Sequence, residues 1–382
     1  MSMNPDNTIT MNWSDFIFES PKKNLSKSFV IGILEGEGIG AEIIAASLHI
    51  LRALESVTNY SFEIRNSGLI GLNENRRYQD PISTDLIQFC QDIFSDGGAI
   101  LAGAGGGRFV YDLRRQFDLF CKLIPVKNSK ELAINRMKPE YLTDIDILLI
   151  RENISGLYFG KSNIISTSND IQVEYQFSYS EKEVHRILLV AAKIALNHRK
   201  HLTVVIKDGG LPAISKLWWD CTLNIVSELG IDYSLINIDH AAYHLIQHAQ
   251  ELDVVVAPNL FGDVLADVSG ILLGSRTFSF SGNFSSQGAA VYQTNHGAAY
   301  DLMGKDQANP VGQILSLAMM LRQSFGLNQE ATLMERAIAQ TWRQGWRTAD
   351  IQENSCHLIG TKEMGERIAD TLVKSTNKLL EV

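Results

Sequence analysis

Residues 253–270, DVVVAPNLFGDVLADVSG, decide how the rest of the chain is to be read. The first five, Asp253 to Ala257, are β-branched and apolar almost throughout, the composition of a strand buried on both faces of a parallel sheet. Pro258 and Asn259 break that run, so the segment is a strand feeding a helix or turn. With a helix starting near Gly262, Asp263 and Asp267 lie on one face, one turn apart. Like charges so placed repel by roughly 0.2–0.5 kcal/mol. Two arrangements relieve that repulsion. The dipole at a helix N-terminus favours acids, and a divalent cation such as Mg²⁺ or Mn²⁺ takes carboxylate oxygens as hard ligands.

Working outward, the same strand-to-helix alternation recurs. Residues 29–34 (FVIGIL), 99–102, 146–150 (DILLI) and 202–206 (LTVVI) predict strands. Helices are predicted over 41–54, 181–197, 332–346 and 363–380, and the alternating stretch 171–179 predicts an exposed β-arm. The fold class that follows is α/β with a largely parallel sheet and functional residues at strand ends. At 382 residues, 45% apolar and 20% charged, the chain is long enough for two domains. A net charge of −9 with no basic run argues against nucleic acid as a partner. No apolar run approaches the ~20 residues that span a bilayer, so no membrane role is expected. Four scattered cysteines, Cys90, Cys121, Cys221 and Cys356, point to reduced thiols and a cytoplasmic location. Residues 1–28 read as a loosely ordered extension in which Trp13, Phe16 and Phe18 could dock.

Polar clusters sit at the predicted strand ends. In GEGIGAE (36–42) the glycines suit either a phosphate cradle or a tight strand-to-helix turn; Glu37 and Glu42 would repel phosphate and favour the turn. RFVYDLRRQFDLF (108–120) places Arg108, Arg114 and Arg115 on one segment, which a solvated basic face would explain. RENISGLYFG (151–160) brings Arg151 out of a fully apolar strand, with Tyr158 close behind. Lys207 ends VVIK and Asp239 sits in INIDHAAY, where a salt bridge and a helix cap are the plain alternatives to a functional role. Arginines for carboxylates, a lysine, a tyrosine and three aspartates are together the inventory for binding a metal-chelated polycarboxylic acid and moving protons on it.

In order along the chain, GEGIGAE, LRRQFDLF, RENISGLY, IKDGG, NIDHAAY, NLFGDVLAD, NHGAAYD and ANP resemble the β-decarboxylating dehydrogenases, the isocitrate/isopropylmalate dehydrogenase family. The resemblance implies a two-domain α/β fold with parallel and mixed sheets and a cofactor site that is not a Rossmann crevice. It implies a discontinuous cofactor-side domain over 29–119 and 274–382, and a central domain over 120–273 carrying the β-arm and a dimer interface. It implies Asp263 and Asp267 as ligands of Mg²⁺ or Mn²⁺, with Asp239 as the third, given by the neighbouring subunit of a homodimer with shared active sites. Lys207 would relay the C2 hydroxyl proton, Tyr158 would protonate C3 after CO₂ leaves, and Arg114 and Arg151 would hold the malate carboxylates. His296, Gly297, Asp301 and Asn309 fall around the adenosine of the cofactor. A carboxylate at Asp301 accepts ribose hydroxyls and repels a 2′-phosphate, so NAD is expected over NADP.

This chain also departs from the family's pattern. Where a third carboxylate-binding arginine is usual after LRRQFDLF, the sequence reads Lys122-Leu-Ile124-Pro. Arg108 and Val110 stand where isocitrate enzymes carry serine and asparagine, and Arg108 could meet an anionic group on C3. Glu35 replaces a usual proline, and Ala298, Ala299 and Tyr300 replace Ser-Ala-Pro. The expected activity is NAD- and metal-dependent oxidative decarboxylation of a 3-substituted (2R)-malate-type hydroxy acid. A non-catalytic regulatory paralogue, or a tartrate- or malate-type dehydrogenase, are the alternatives.

Overall fold

The computed structural model describes residues 12–19, 26–67, 82–132 and 137–380, with side chains as far as residue 376. Strand β1 (Ser28–Leu34) leads through a Gly-rich turn into helix α1 (Gly40–Val57), then β2 (Ser61–Asn66), α2 (Thr84–Ser95) and β3 (Ala99–Ala102). Helix α3 (Arg108–Gln116) precedes β4 (Cys121–Lys127) and β5 (Asp146–Glu152). A separate hairpin, β6 (Lys161–Ser166) and β7 (Ile171–Gln176), is followed by α4 (Glu181–Leu196), β8 (His201–Ile206), α5 (Pro212–Leu229) and β9 (Asp232–Asn237). Helix α6 (Ile238–Gln247), β10 (Val254–Ala257) and α7 (Asn259–Ser269) complete the central part. Strands β11 (Phe280–Phe284) and β12 (Ala290–Thr294) then return to the first part, and α8 (Val311–Phe325), α9 (Asn328–Arg343) and α10 (Thr361–Leu380) close the chain.

Ten strands form one mixed sheet in the order β2-β1-β3-β12-β11-β4-β5-β10-β8-β9. Its two flanks are parallel, while β11 runs antiparallel to β12 and β4, and β4 to β5. Within this sheet, β2, β1, β3, β12 and β11 lie on one side of the β11–β4 seam and β4, β5, β10, β8 and β9 on the other. Three register pairs cross that seam: Gly282 with Leu123, Asn283 with Lys122 and Phe284 with Cys121. Strands β3 and β10 are buried at every residue, which explains their unbroken apolar composition. Among the described residues no helix is long and apolar enough to cross a membrane. The four cysteines are free, and Cys90, Cys121 and Cys221 are buried.

One expectation needs correction. The helix after β10 starts at Asn259, before Gly262, because the Asn259 N–H finds a distant partner in the Tyr179 hydroxyl at 3.0 Å. Asp263 therefore lies a full turn inside α7, beyond the reach of the N-terminal dipole. In the N-terminal extension, where the sequence leaves docking of Trp13, Phe16 and Phe18 open, residues 12–19 are docked. Trp13–Phe16 form a 3₁₀ turn, Ser14 donates from N to Gln323 Oε1 (3.1 Å) and from Oγ to the Gln323 carbonyl (2.6 Å), and Ile17 and Phe18 are buried. The apolar run at 16–18 supplies the reason, since Phe18 packs its ring against Phe284 of β11.

The expected arm is the β6–β7 hairpin, exposed along its whole length. Its register pairs Ile164 with Val173, Ser162 with Tyr175 and Ser166 with Ile171, so Ile164, Ile171, Val173 and Tyr175 share one face. Ile164 and Ile171 are 67% and 66% exposed.

Candidate functional site

Parallel pairing of β5, β10 and β8 brings their C-terminal ends to one edge of the sheet. Because β4 is antiparallel to β5, its first residues reach the same edge, and Lys122 lies across from Arg151. Arg151 is only 1% exposed. Its Nε and Nη2 donate to Asn259 Oδ1 at 3.0 and 2.7 Å, and Nη1 forms an ion pair with Asp263. Asn259, itself buried, donates from Nδ2 to the Ser155 carbonyl at 2.9 Å and so locks the arginine's rotamer. The second Asp263 oxygen accepts from the Tyr158 hydroxyl at 2.7 Å. The backbone has to come close for this to happen. A Cβ on Gly262 would stand 2.8 Å from the Arg151 side chain, so only glycine lets α7 seat Asp263 here.

The electrostatics follow from that packing. Burial alone would raise the Asp263 pKa, but the Arg151 charge and then the Tyr158 hydroxyl outweigh it and hold the carboxyl below its ordinary value. Burial, then the neighbouring Asp263, pushes the Tyr158 phenol up, so it keeps its proton at neutral pH. Arg114, on α3, is 5% exposed, and burial followed by the Arg151 charge lowers it to about 9. The solvated basic face expected for 108–120 thus holds for Arg108 and Arg115, while Arg114 turns inward with its guanidinium 5.5 Å from the Tyr111 ring centre. Lys122 is 4% exposed, and burial, then Arg114 and Arg151, holds its amine well below the usual lysine range.

Arg108 stands at the rim. It pairs with Asp112 (2.9 Å) and lies 6.0 Å from the ring centres of both Tyr111 and Phe159. Tyr111 meets Tyr158 edge-on at 5.3 Å, which places it between the phenol and Arg114. The Lys207 ammonium donates to Asp239 Oδ1 at 2.8 Å, and that bond holds the Asp239 carboxyl low. Among the described residues no hydrogen bond or ion pair joins this pair to the Asp263 network. One chain therefore brings together Arg114, Lys122, Arg151, Tyr158 and Asp263, while Lys207 and Asp239 form a second pair not bonded to them. Asp267, one turn beyond Asp263, is paired with Arg276 at 2.9 Å. Among the described residues no set of three or more His, Cys, Asp or Glu side chains is poised around one point. Asp263 and Asp267 offer two hard-oxygen donors on one helix face, a chemistry that fits Mg²⁺ or Mn²⁺ once further oxygens are supplied.

Across the β11–β4 seam, His296 follows β12. Its Nδ1 donates to the Gly297 carbonyl at 3.1 Å, while Nε2 is buried without a partner, and burial holds the imidazole down. A Cβ at Gly297 would meet nothing within 4 Å. An orphaned ring nitrogen beside open backbone fits a polar ligand such as the adenosine of a dinucleotide. Asn309 is engaged at both ends, Nδ2 donating to Asp350 at 3.2 Å and Oδ1 accepting from Val311 N at 3.0 Å, so it is tethered to the first residue of α8. Asp301 is exposed in the turn between His296 and Asn309. The Gly-rich turn serves packing: Gly38 has φ +56°, and a Cβ there would lie 2.0 Å from the Ala298 carbonyl oxygen. It braces the turn that carries His296.

Sequence reasoning passed over three participants. Asn259 was visible inside NLFGD but its fork onto Arg151 was not, and Tyr111 had a signal only in standing three residues before Arg114. Asp350 gathers Ser275 Oγ (3.0 Å), Thr277 Oγ1 (2.6 Å), Thr348 Oγ1 (2.6 Å) and Asn309, from parts of the chain too distant to associate by pattern.

Comparison with known proteins adds a further finding. Residues 30–368 match the family model described as isocitrate/isopropylmalate dehydrogenase. The 3-isopropylmalate dehydrogenase of Aquifex aeolicus is 34% identical over 366 residues, covering 91% of this chain and 98% of that protein. That of Priestia megaterium is 32% identical over 366 residues, covering 91% and 96%. Among solved structures, isocitrate dehydrogenase from Methylococcus capsulatus superposes with a TM-score of 0.80 at 25% identity, over 90% of this chain and 99% of that one.

Proposed function

The chain belongs to the isocitrate/isopropylmalate dehydrogenase family, and from that premise we propose that it oxidatively decarboxylates a 3-substituted (2R)-malate-type hydroxy acid with NAD and Mg²⁺ or Mn²⁺. The observation that carries this reading is the Tyr158 hydroxyl held on Asp263, beside the buried guanidiniums of Arg114 and Arg151. A phenol kept protonated beside two buried guanidiniums is a proton donor set next to a carboxylate-binding surface. Arg114 and Arg151 bind the acid's carboxylates, and Lys207 takes the proton of the C2 hydroxyl and can pass it along its 2.8 Å bond to Asp239. Tyr158 returns a proton to C3 as CO₂ departs. When bound, the metal would supply Lewis acidity at the hydroxy acid's oxygens and NAD the two-electron oxidant.

The exposed apolar face of the β6–β7 hairpin supports a homodimer whose arms meet, and in it Lys207 and Asp239, unbonded to the Asp263 network of their own chain, would complete the site of a second copy. The five-and-five division of the sheet at the β11–β4 seam supports two lobes, 29–119 with 274–382 and 120–273, with the cleft between them. A spectrophotometric screen for NADH with Mn²⁺, across malate, isocitrate, homoisocitrate, 3-isopropylmalate and tartrate, tests the activity. One acid should be turned over well above the rest. Absence of NAD reduction with all of them sinks the reading in favour of a non-catalytic member.

A further inference from the structure

We propose that Lys122 replaces the absent third arginine as the anchor for one substrate carboxylate, a specificity determinant that rests on the activity proposed above. Strand geometry makes the replacement possible. Lys122 and Ile124 are two residues apart on β4 and so point to the same face. Ile124, fully buried, lies opposite Leu149, deeper along the sheet, whereas Lys122 lies opposite Arg151 at the functional edge. The step from 124 to 122 moves the side chain's origin by about 6–7 Å toward that edge. A lysine is shorter than an arginine, and the nearer starting point makes up for the lost reach.

Charge supplies the second line of argument. Arg114, Lys122 and Arg151 are all almost fully buried, yet among the described residues only Arg151 has a carboxylate partner, Asp263. Arg114 also keeps a buried Nε with no hydrogen-bond partner. Asp267 is drawn off by Arg276. Burying cationic groups without counter-charge is strongly unfavourable unless a ligand brings the anions. With Asp263 the one carboxylate among three buried basic side chains, the cluster is short of acceptors, and a hydroxy-dicarboxylate brings two carboxylates to it. The ammonium is a compact point charge without the guanidinium's rigid fork, so this anchor fixes charge with less geometric demand than the arginine it replaces. The substrate class that follows is a malate whose two carboxylates both sit within this cation cluster, leaving the C3 substituent to face Tyr111 and the Arg108 rim.

Lys122→Met keeps the length and apolar stem and removes the amine. In the full-length protein it should raise KM for the best 3-substituted malate by about 10–100-fold, the worth of one charge-assisted hydrogen bond, with a much smaller change in kcat. Its Tm should stay level or rise, since a buried amine is lost. The double variant Lys122→Asn/Ile124→Arg, which restores an arginine two residues deeper, should recover most of the affinity. KM within twofold of wild type for Lys122→Met, or a fallen Tm with unchanged KM, would overturn the assignment. If Lys122→Met does not fold, the double variant decides: retained affinity supports the anchor and lost affinity refutes it. Calorimetric titration of the proteins with malate and Mn²⁺ keeps this separate from the activity. Should wild type reduce no NAD with any hydroxy acid, a difference in malate affinity still upholds the anchor, and equal affinities still sink it.

Discussion

Tyr158 owes its ring position to Tyr111 and its proton to burial, and the two can be separated by removing the hydroxyl alone. Tyr158→Phe keeps the edge-on contact but loses the bond to Asp263, so kcat should fall about 100–1000-fold with KM little changed, as steady-state kinetics would show. An equal loss in KM would mean that the phenol holds substrate rather than protonating it. Glu152, next to Arg151 at the end of β5, carries a different consequence. Burial pushes it up to about 7 despite backbone donors at Ile154 and Ser155, each 3.1 Å away. An unfolded glutamate titrates near ~4.3, so between that value and 7 the folded chain binds more protons and stability declines as pH rises. The decline should be on the order of 2–3 kcal/mol and vanish in Glu152→Gln, read from urea midpoints at pH 5 and pH 8. At this scale the sequence exposed Arg151, Tyr158 and Asp263, because a charge following an apolar strand stands out. It hid the burial of Arg114 and Lys122, which depends on how α3 and β4 pack against β5.

Between elements, the clearest joint lies at the end of the sheet away from the site. Asp253, just before β10, accepts from Arg199 N (3.0 Å), Arg199 Nε (3.4 Å) and His201 N (3.1 Å), and pairs with His198, tying the α4–β8 turn to β10. Asp253→Ala removes the buried acceptor that gathers those part-buried donors and should lower unfolding free energy by about 2 kcal/mol in denaturant titration. A loss under 1 kcal/mol would show that water replaces the carboxylate. The strands were legible because each is an apolar run bounded by glycine, proline or charge. Helix starts were not: α7 begins at Asn259 through a hydroxyl eighty residues earlier in the chain, a partner no local pattern announces.

For the molecule as a whole, the hairpin's one-sided apolar face is the feature that a single chain leaves unaccounted for. The homodimer proposed above predicts that wild type sediments as a dimer and that Ile171→Asp with Val173→Asp sediments as a monomer and loses the proposed activity. A dimer persisting in that variant would place the interface elsewhere. The alternation that predicts the arm was readable, but the order of the ten strands was not, since β12 settles beside β3 and β11 beside β4 through pairings between remote parts of the chain. That threading constrains biogenesis. A nascent polypeptide leaving the ribosome presents β3 and β4 with bare edges until residues 280–294 have emerged, so the part translated first waits for the part translated late. Truncation before residue 280 would accordingly yield two sticky half-sheets that aggregate, and chaperone dependence during synthesis should concentrate in that interval.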